Sequence, residues 1–235
     1  MKTQNKEKRN LIILVIASMI FMKIVSEAFH EILGHGFFVL LLGGSIRNVY
    51  LSVFWPYELS HISWSIPSLD TSQLVLLYGG GILVTALTSL LLQIILLVFQ
   101  PNWKYTIPLT WLAFWCLVNA AGYLVVGGVF PFGDVAVLMN LDAISAFQSL
   151  LIGTGLLVVG FFSISHIQRK ALQPILPAQA AYGNIIMWGI VLLVTFAASA
   201  GLGIFSPLVL GAGLIPLSMS IALEWSIRRK ANRCF

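Results

Sequence analysis

The sequence predicts an all-α polytopic membrane protein with about six transmembrane helices. Of its 235 residues, 59% are hydrophobic and only 9% are charged, whereas soluble domains carry about 25% charged residues. Apolar stretches close to the ~20 residues needed to cross a bilayer recur along the chain. The two cysteines, Cys116 and Cys234, do not suit a paired disulfide framework. These observations exclude a soluble globular domain, a disordered chain and a disulfide scaffold, and favour one integral membrane domain over residues 1–235.

The predicted spans are the apolar stretches 11–42, 73–99, 107–130, 146–165, 184–202 and 206–224. As one helix, the first stretch would measure about 48 Å. That length exceeds a hydrocarbon core of about 30 Å, so we expect the stretch to tilt, kink or protrude. Because its apolar run continues past any plausible cleavage site, we interpret it as an uncleaved first span and not as a signal peptide.

Basic residues at both ends of the chain predict that both termini are cytoplasmic. The residues concerned are Lys2, Lys6, Lys8 and Arg9 before the first span, and Arg228, Arg229, Lys230 and Arg233 after the last. By the positive-inside rule this arrangement requires an even number of spans. The pI of 9.4 therefore reflects topology and is not evidence for nucleic-acid binding. We expect a multi-pass protein of the cell membrane, surrounded by the lipid bilayer; the sequence indicates no oligomeric state.

A polar interval from 43 to 72 separates the first two spans. Within it, the string SIRNVYLSVFWPYELSHISWS is rich in β-branched and aromatic residues. This composition is typical of a short hairpin, and its Trp and Tyr residues suit a membrane surface. An ordinary aromatic-rich loop explains the composition equally well, so both alternatives stay open here.

The first predicted span contains four ionisable residues within nine positions, Glu27, His30, Glu31 and His35, in the string SEAFHEILGHGFF. Ionisable groups inside a membrane span are costly and are usually functional. Lys23 lies one helical turn before Glu27, and we expect the two to pair. Two histidines and two glutamates in one apolar helix favour a metal or catalytic site over a structural polar cluster.

The spacing of the two histidines departs from the H-E-x-x-H helix of zinc proteases, because His30 and His35 are five residues apart. On a regular α-helix they would point about 140° apart. Both could bind one metal ion if a π-type turn, which Gly34 would tolerate, brought them onto one face. On a regular helix, by contrast, Glu27 and His30 have the i, i+3 spacing of a carboxylate-bridged di-iron site.

Candidate residues also occur outside the first span. Asp134 follows a predicted span and a bend at PFG, and it is either a third metal ligand or a helix N-cap or turn residue. Asn119 lies earlier in that span and is either a hydrogen-bond donor to substrate or an interhelical contact. His61 and His166 are expected in loops as ordinary polar residues, His61 being a minor candidate for a lid contact. Glycines 79–81 favour helix packing through small residues.

Several stretches of the sequence, taken in chain order, resemble the site-2 protease family of intramembrane zinc metalloproteases. HEILGHGFFVLLLGG is similar to the family's first core helix, with one extra residue in the histidine motif. Residues 44–70 resemble its membrane-surface sheet, and LLYGGGILVTALTSLL resembles its second core helix. The segment from Asn119 to PFGD resembles the third, with Asp134 as the ligating Asp. The resemblance covers about residues 26–141, so 11–141 would form a catalytic core and 146–224 accessory helices.

The resemblance implies a zinc metalloendopeptidase that cleaves peptide bonds in or near transmembrane segments of other membrane proteins. It implies that His30, His35 and Asp134 hold one Zn²⁺ per chain, leaving a fourth position for water. Glu31 would then be the general base and Asn119 a hydrogen-bond donor in catalysis.

Three other classes of function stay open. A membrane metal-binding or transport protein without hydrolysis would use Glu27 and Glu31 equally, as ligands. A non-catalytic binder of transmembrane helices, derived from the same fold, would need no metal. A di-iron oxidase or hydroxylase would need further carboxylates, which the other spans do not supply.

Overall fold

The computed structural model describes residues 2–52, 60–201 and 207–232, most of which are helical. The α-helices are α1 (Lys2–Ala28), α2 (Phe37–Leu41), α3 (Thr71–Phe99), α4 (Trp103–Leu117), α5 (Tyr123–Val129), α6 (Gly133–Asn140), α7 (Ala146–Leu172), α8 (Ala180–Gly201) and α9 (Pro207–Asn232). A first π-helix, Phe29–Gly36, joins α1 to α2, and a second, Val118–Gly122, joins α4 to α5. Strands β1 (Ser45–Tyr50) and β2 (His61–Ser65) pair antiparallel. The predicted all-α class is confirmed, and a hairpin is found where a hairpin or a loop was expected.

Within the part of the chain that the structure describes, four helical stretches are long and apolar enough to cross a membrane: Lys6–Leu41, Thr71–Phe99, Trp103–Val129 and Ala146–Leu172. They coincide with the first four predicted spans. The last two predicted spans are helical in α8 and α9 over residues 184–201 and 207–224, whereas positions 202 and 206 lie outside the described residues. The total number of crossings stays a prediction.

Both histidines expected in loops lie in regular elements instead. His61 is the first residue of β2. His166 lies inside α7, because this helix continues to Leu172 beyond the apolar run that predicted it. The last turn of α7 carries Arg169 and Lys170, and cations at that end of a helix interact favourably with its dipole.

The chain divides into two compact units. Residues 20–92 and 111–157 form one, called here the ligand-bearing unit because it contains His30, His35 and Asp134. Residues 1–19, 93–110 and 158–235 form the other, called here the terminal unit.

Small residues let the backbones of the ligand-bearing unit approach closely. A Cβ atom at Gly34, in the first π-helix, would lie 2.4 Å from the Cα atom of Gly81 in α3. A side chain at Gly127 of α5 would similarly meet Val135 of α6, at 2.6 Å from its Cβ atom. Val135 is fully buried in an apolar cluster with Ile82, Ala120, Leu124 and Leu138. This cluster fixes α6, and with it Asp134, against α3 and the second π-helix.

The terminal unit is held partly by buried polar contacts. Arg169 Nε lies 2.8 Å from Glu224 Oε1, which joins α7 to α9. One turn earlier in α9, Ser220 accepts a hydrogen bond from Asn184 Nδ2 of α8 at 2.8 Å. The sequence predicted accessory helices over 146–224 but did not predict the ion pair between Arg169 and Glu224.

Candidate metal centre

The first π-helix brings His30 and His35 onto one face. A π-helix closes its hydrogen bonds between residues i and i+5, which is the spacing of the two histidines. Their Nε2 atoms lie 3.3 Å apart, and the two rings meet edge to face. The widened helix, and not the regular one, is therefore the alternative that the chain adopts.

Asp134 completes a triangle of donor atoms. Its Oδ2 atom lies 3.3 Å from His30 Nε2 and 3.2 Å from His35 Nε2. These three residues form a group that could hold a metal ion. With Zn–N and Zn–O bonds of about 2.0–2.1 Å, ligand atoms at tetrahedral angles lie ~3.3 Å apart. The sides of the triangle match this separation, so its size suits a single zinc ion.

The protonation of His35 also suits metal binding. Its Nδ1 atom lies 2.8 Å from the carbonyl oxygen of Leu77 in α3. Since a carbonyl only accepts, Nδ1 must carry the proton and donate it, which leaves the Nε2 lone pair facing the triangle. His30 Nδ1 is buried and has no hydrogen-bond partner among the described residues, so only one of the two histidines is fixed by such a contact.

The backbone of α3 closes one side of the triangle at Gly81. A Cβ atom there would lie 2.6 Å from His30 Nε2 and 2.7 Å from His35 Nε2. The same construction at Gly79, two residues earlier, meets nothing within 4 Å. The expected packing role of the glycines therefore holds for Gly34 against Gly81, and Gly81 additionally gives the histidines their room.

A glycine and a tyrosine place Asp134. Gly133 has φ of +52°, a left-handed conformation that glycine adopts without strain. A Cβ atom at Gly133 would lie 1.8 Å from the hydroxyl oxygen of Tyr123. This oxygen accepts a hydrogen bond from the backbone N–H of Asp134 at 3.3 Å. Asp134 is the second residue of α6 and lies beyond a candidate span. The N-cap residue of α6 is Phe132, so the prediction that Asp134 is a helix N-cap is wrong.

The charge at Asp134 is set by its neighbours. Burial acts to raise the pKa of its carboxyl, but when His30 and His35 are protonated their hydrogen bonds and positive charge outweigh burial and lower the pKa to about 2. The carboxyl is therefore an ionised oxygen donor at neutral pH, as a zinc ligand must be.

A cavity of about 260 Å³ opens beside the triangle. Glu31 lines it and is only 6% exposed. It follows His30 directly in the π-helix and lines the same cavity as the three donor residues, so a buried ionisable carboxyl shares this cavity with them. Such a group is suitable as a general base if a water molecule binds there.

Glu27 also lines the cavity but is paired. Its Oε1 atom lies 3.4 Å from Lys23 Nζ, so the predicted ion pair is confirmed. Lys23 also donates to the carbonyl oxygen of Ser52, two residues after β1. Neither Glu27 nor Glu31 belongs to the metal group found among the described residues, but the two differ in that Glu27 is paired with Lys23.

Asn119 lies in the second π-helix and lines the same cavity. Its Nδ2 atom donates a hydrogen bond to Ser26 Oγ of α1 at 2.9 Å. One of its two predicted roles, an interhelical contact, is therefore present. Because an amide nitrogen carries two hydrogens, this contact leaves one N–H for a ligand in the cavity.

Three features of the site were not predicted from sequence. Tyr123 was not singled out, although its hydroxyl holds the backbone of Asp134. Trp64 of β2 lines the cavity, with its ring centroid 6.3 Å from that of His35. The second π-helix has no paired ligands at i, i+5 spacing that would have revealed it. His61 reaches the cavity rim as well, stacked on Tyr50 with ring centroids 5.3 Å apart.

Comparison with protein-family models, with curated proteins and with solved structures found no match to this chain. The assignment of function therefore rests on the geometry of the site.

Proposed function

We propose that the protein is an intramembrane zinc metalloprotease, similar in its core to the site-2 proteases. The single observation that carries the proposal is the triangle of His30 Nε2, His35 Nε2 and Asp134 Oδ2, with sides of 3.2–3.3 Å. A buried glutamate, Glu31, lies beside it at a cavity. Two imidazoles and one carboxylate with an open fourth position are the ligand set of catalytic zinc sites, whereas structural sites are closed by four protein ligands.

The residues of the chain divide the chemistry between them. His30, His35 and Asp134 would hold one Zn²⁺. A bound Zn²⁺ supplies Lewis acidity, which polarises a carbonyl and lowers the pKa of water to about 7. Glu31 accepts a proton from the attacking water and transfers it to the leaving amine nitrogen. The second N–H of Asn119 donates to the substrate backbone or to the developing oxyanion.

The substrate is a transmembrane segment of another membrane protein. A helix hides its peptide bonds, so the segment must unwind locally before it is cut. Ile62 and Trp64 of β2 line the cavity, and among the described residues β2 pairs with β1 alone. The unwound segment would add to β2 as a further strand, with its backbone hydrogen bonds satisfied by the sheet edge.

The same proposal includes six crossings with both termini in the cytoplasm, in a cell membrane. Helices α8 and α9 contain 22 and 26 residues, about 33 and 39 Å in length. Both are therefore long enough for a hydrocarbon core of about 30 Å. The basic residues before α1's apolar run and in the last turn of α9 support the orientation.

The deciding experiment measures zinc content and proteolysis together in the detergent-purified protein. Wild type should bind about one zinc per chain and cleave a reconstituted transmembrane substrate. Glu31→Gln should keep the zinc and lose cleavage, because it removes the base and leaves all three ligands. His35→Ala should lose both.

Glu27→Gln is the matched control, since it makes the same substitution at a glutamate one helical turn before Glu31. It should keep zinc and retain cleavage, with reduced thermal stability from the unpaired Lys23. Equal loss of metal in Glu27→Gln and Glu31→Gln would instead indicate a non-catalytic metal-binding or transport protein. Absence of zinc from the wild type, under chelator-free conditions, would favour a non-catalytic binder of transmembrane helices.

A further inference from the structure

A second cavity lies in the terminal unit, where three candidate spans begin or end. Its volume is about 300 Å³. Leu96 and Leu97 are in the last turn of the stretch Thr71–Phe99, Trp103 opens the stretch Trp103–Val129, and Lys170 is close to the end of Ala146–Leu172. Because all three stretches are long enough to cross a bilayer, the cavity lies at the boundary between hydrocarbon and water.

The lining of this second cavity is divided into an apolar and a polar part. Leu96, Leu97 and Ile167 supply aliphatic surface, whereas Gln100 and Asn102 supply amides. Trp103 also lines the cavity, and tryptophan is enriched at membrane–water interfaces because its ring is both apolar and polar. This division matches a molecule that has an aliphatic chain attached to a polar head.

The charge of the cavity is positive. Lys170 lines it and is exposed, and Lys170 forms no ion pair among the described residues. The neighbouring Arg169 is already paired with Glu224. Lys104 adds a second ammonium group beside the rim, 5.8 Å from the ring of Trp103. The residues that line the cavity include no acid.

We propose that the second cavity binds one anionic phospholipid. The phosphate of the headgroup pairs with Lys170, and an acyl chain packs against the exposed side chain of Leu97. Basic pockets between membrane helices attract anionic headgroups in this way, and one lysine near the surface contributes roughly fivefold to binding. The proposal is independent of the metal centre, since the second cavity and the cavity at the triangle have no lining residue in common.

The test compares lipids that differ in headgroup charge alone. The purified protein in neutral detergent is titrated with dioleoyl phosphatidylglycerol or with dioleoyl phosphatidylcholine, and the Tm is followed. Phosphatidylglycerol should raise the Tm at concentrations at which phosphatidylcholine does not. Lys170→Gln should shift the phosphatidylglycerol titration about fivefold to higher concentration, and Lys170→Arg should restore it.

Lys230→Gln is the charge-matched control, because Lys230 is exposed on α9 and does not line the cavity. It should leave the titration unchanged. An equal shift in Lys170→Gln and Lys230→Gln would overturn the proposal in favour of diffuse surface charge. Equal stabilisation by the two lipids would also overturn it, as would inorganic phosphate that reproduces the effect of phosphatidylglycerol, since the ligand would then be a water-soluble phosphate.

Discussion

Gly81→Ala tests the metal centre without touching a ligand. The added methyl group would lie 2.6 Å from His30 Nε2 and 2.7 Å from His35 Nε2, whereas atoms in van der Waals contact lie about 3.5 Å apart or more. The rings must therefore move by most of an ångström. A metal site tolerates errors of only about 0.2 Å in its bond lengths.

The expected magnitude follows from these distances. A displacement several times the tolerance should weaken zinc binding by at least about 100-fold, the upper end of the range for changes just outside a ligand set. This loss corresponds to about 2.7 kcal/mol, and fold stability should change by less, about 0–2 kcal/mol net. The overlap destabilises by about 1–3 kcal/mol, and alanine in place of glycine in a helix restores about 1 kcal/mol.

The assay is a zinc titration against a competing chelator, with the Tm of the metal-free protein measured in parallel. Gly79→Ala is the control, because it makes the same substitution two residues away, where a Cβ atom meets nothing within 4 Å. It should keep wild-type zinc affinity and raise stability slightly. Zinc affinity within a factor of two of wild type in Gly81→Ala would refute the assignment of the triangle as the metal site.

Two further perturbations test how the site and its supporting helix are held. Tyr123→Phe removes the hydrogen bond to the backbone of Asp134 and should weaken zinc binding about tenfold with little change in circular dichroism; an unchanged zinc Kd would mean that the hydroxyl does not position the ligand. Asp70 accepts hydrogen bonds from Ser72 Oγ and the Gln73 N–H, and these hydrogen bonds lower the pKa of its carboxyl. Because this pKa is lower in the folded state, the ionised carboxyl stabilises the fold above the unfolded-state pKa of about 3.9, and the contribution is lost as the pH falls through the lowered value. The Tm of Asp70→Asn should therefore lie below that of wild type at pH 6, and the two should converge in acid; a difference that is constant between pH 6 and pH 3 would contradict this.

The chemistry of the site was predictable from sequence to the extent that it is local. His30, Glu31 and His35 are conspicuous because ionisable residues are costly in an apolar run. Their i, i+5 spacing offered two helical geometries, and the π-helix is the one found. The pairing of Lys23 with Glu27 was likewise predictable, since both residues lie on one helix a turn apart.

Contacts between segments that are distant in the sequence were not predictable. A tyrosine in an apolar helix carries no signal, and the role of Tyr123 appears only when Gly133 turns α6 back against it. Three consecutive glycines predicted close packing, but their spacing does not say that Gly81 faces the histidines and Gly79 faces open space. The ends of α7 and β2 were missed because polar residues such as His166 and His61 continue an element beyond its apolar run.

The first π-helix also sets the rotation of α2 about its axis, and therefore which residues of α2 face the interior. Deleting one residue between the histidines would restore the familiar i, i+4 spacing, yet it would rotate α2 by about 100° about its axis. Val39, now fully buried, would leave the interior, and Gly36 would lose its place against Ile46 of β1. The extra residue between the histidines thus serves two purposes: it sets the spacing of the two ligands, and it sets the packing of the following residues against β1. No single deletion between the histidines would preserve both.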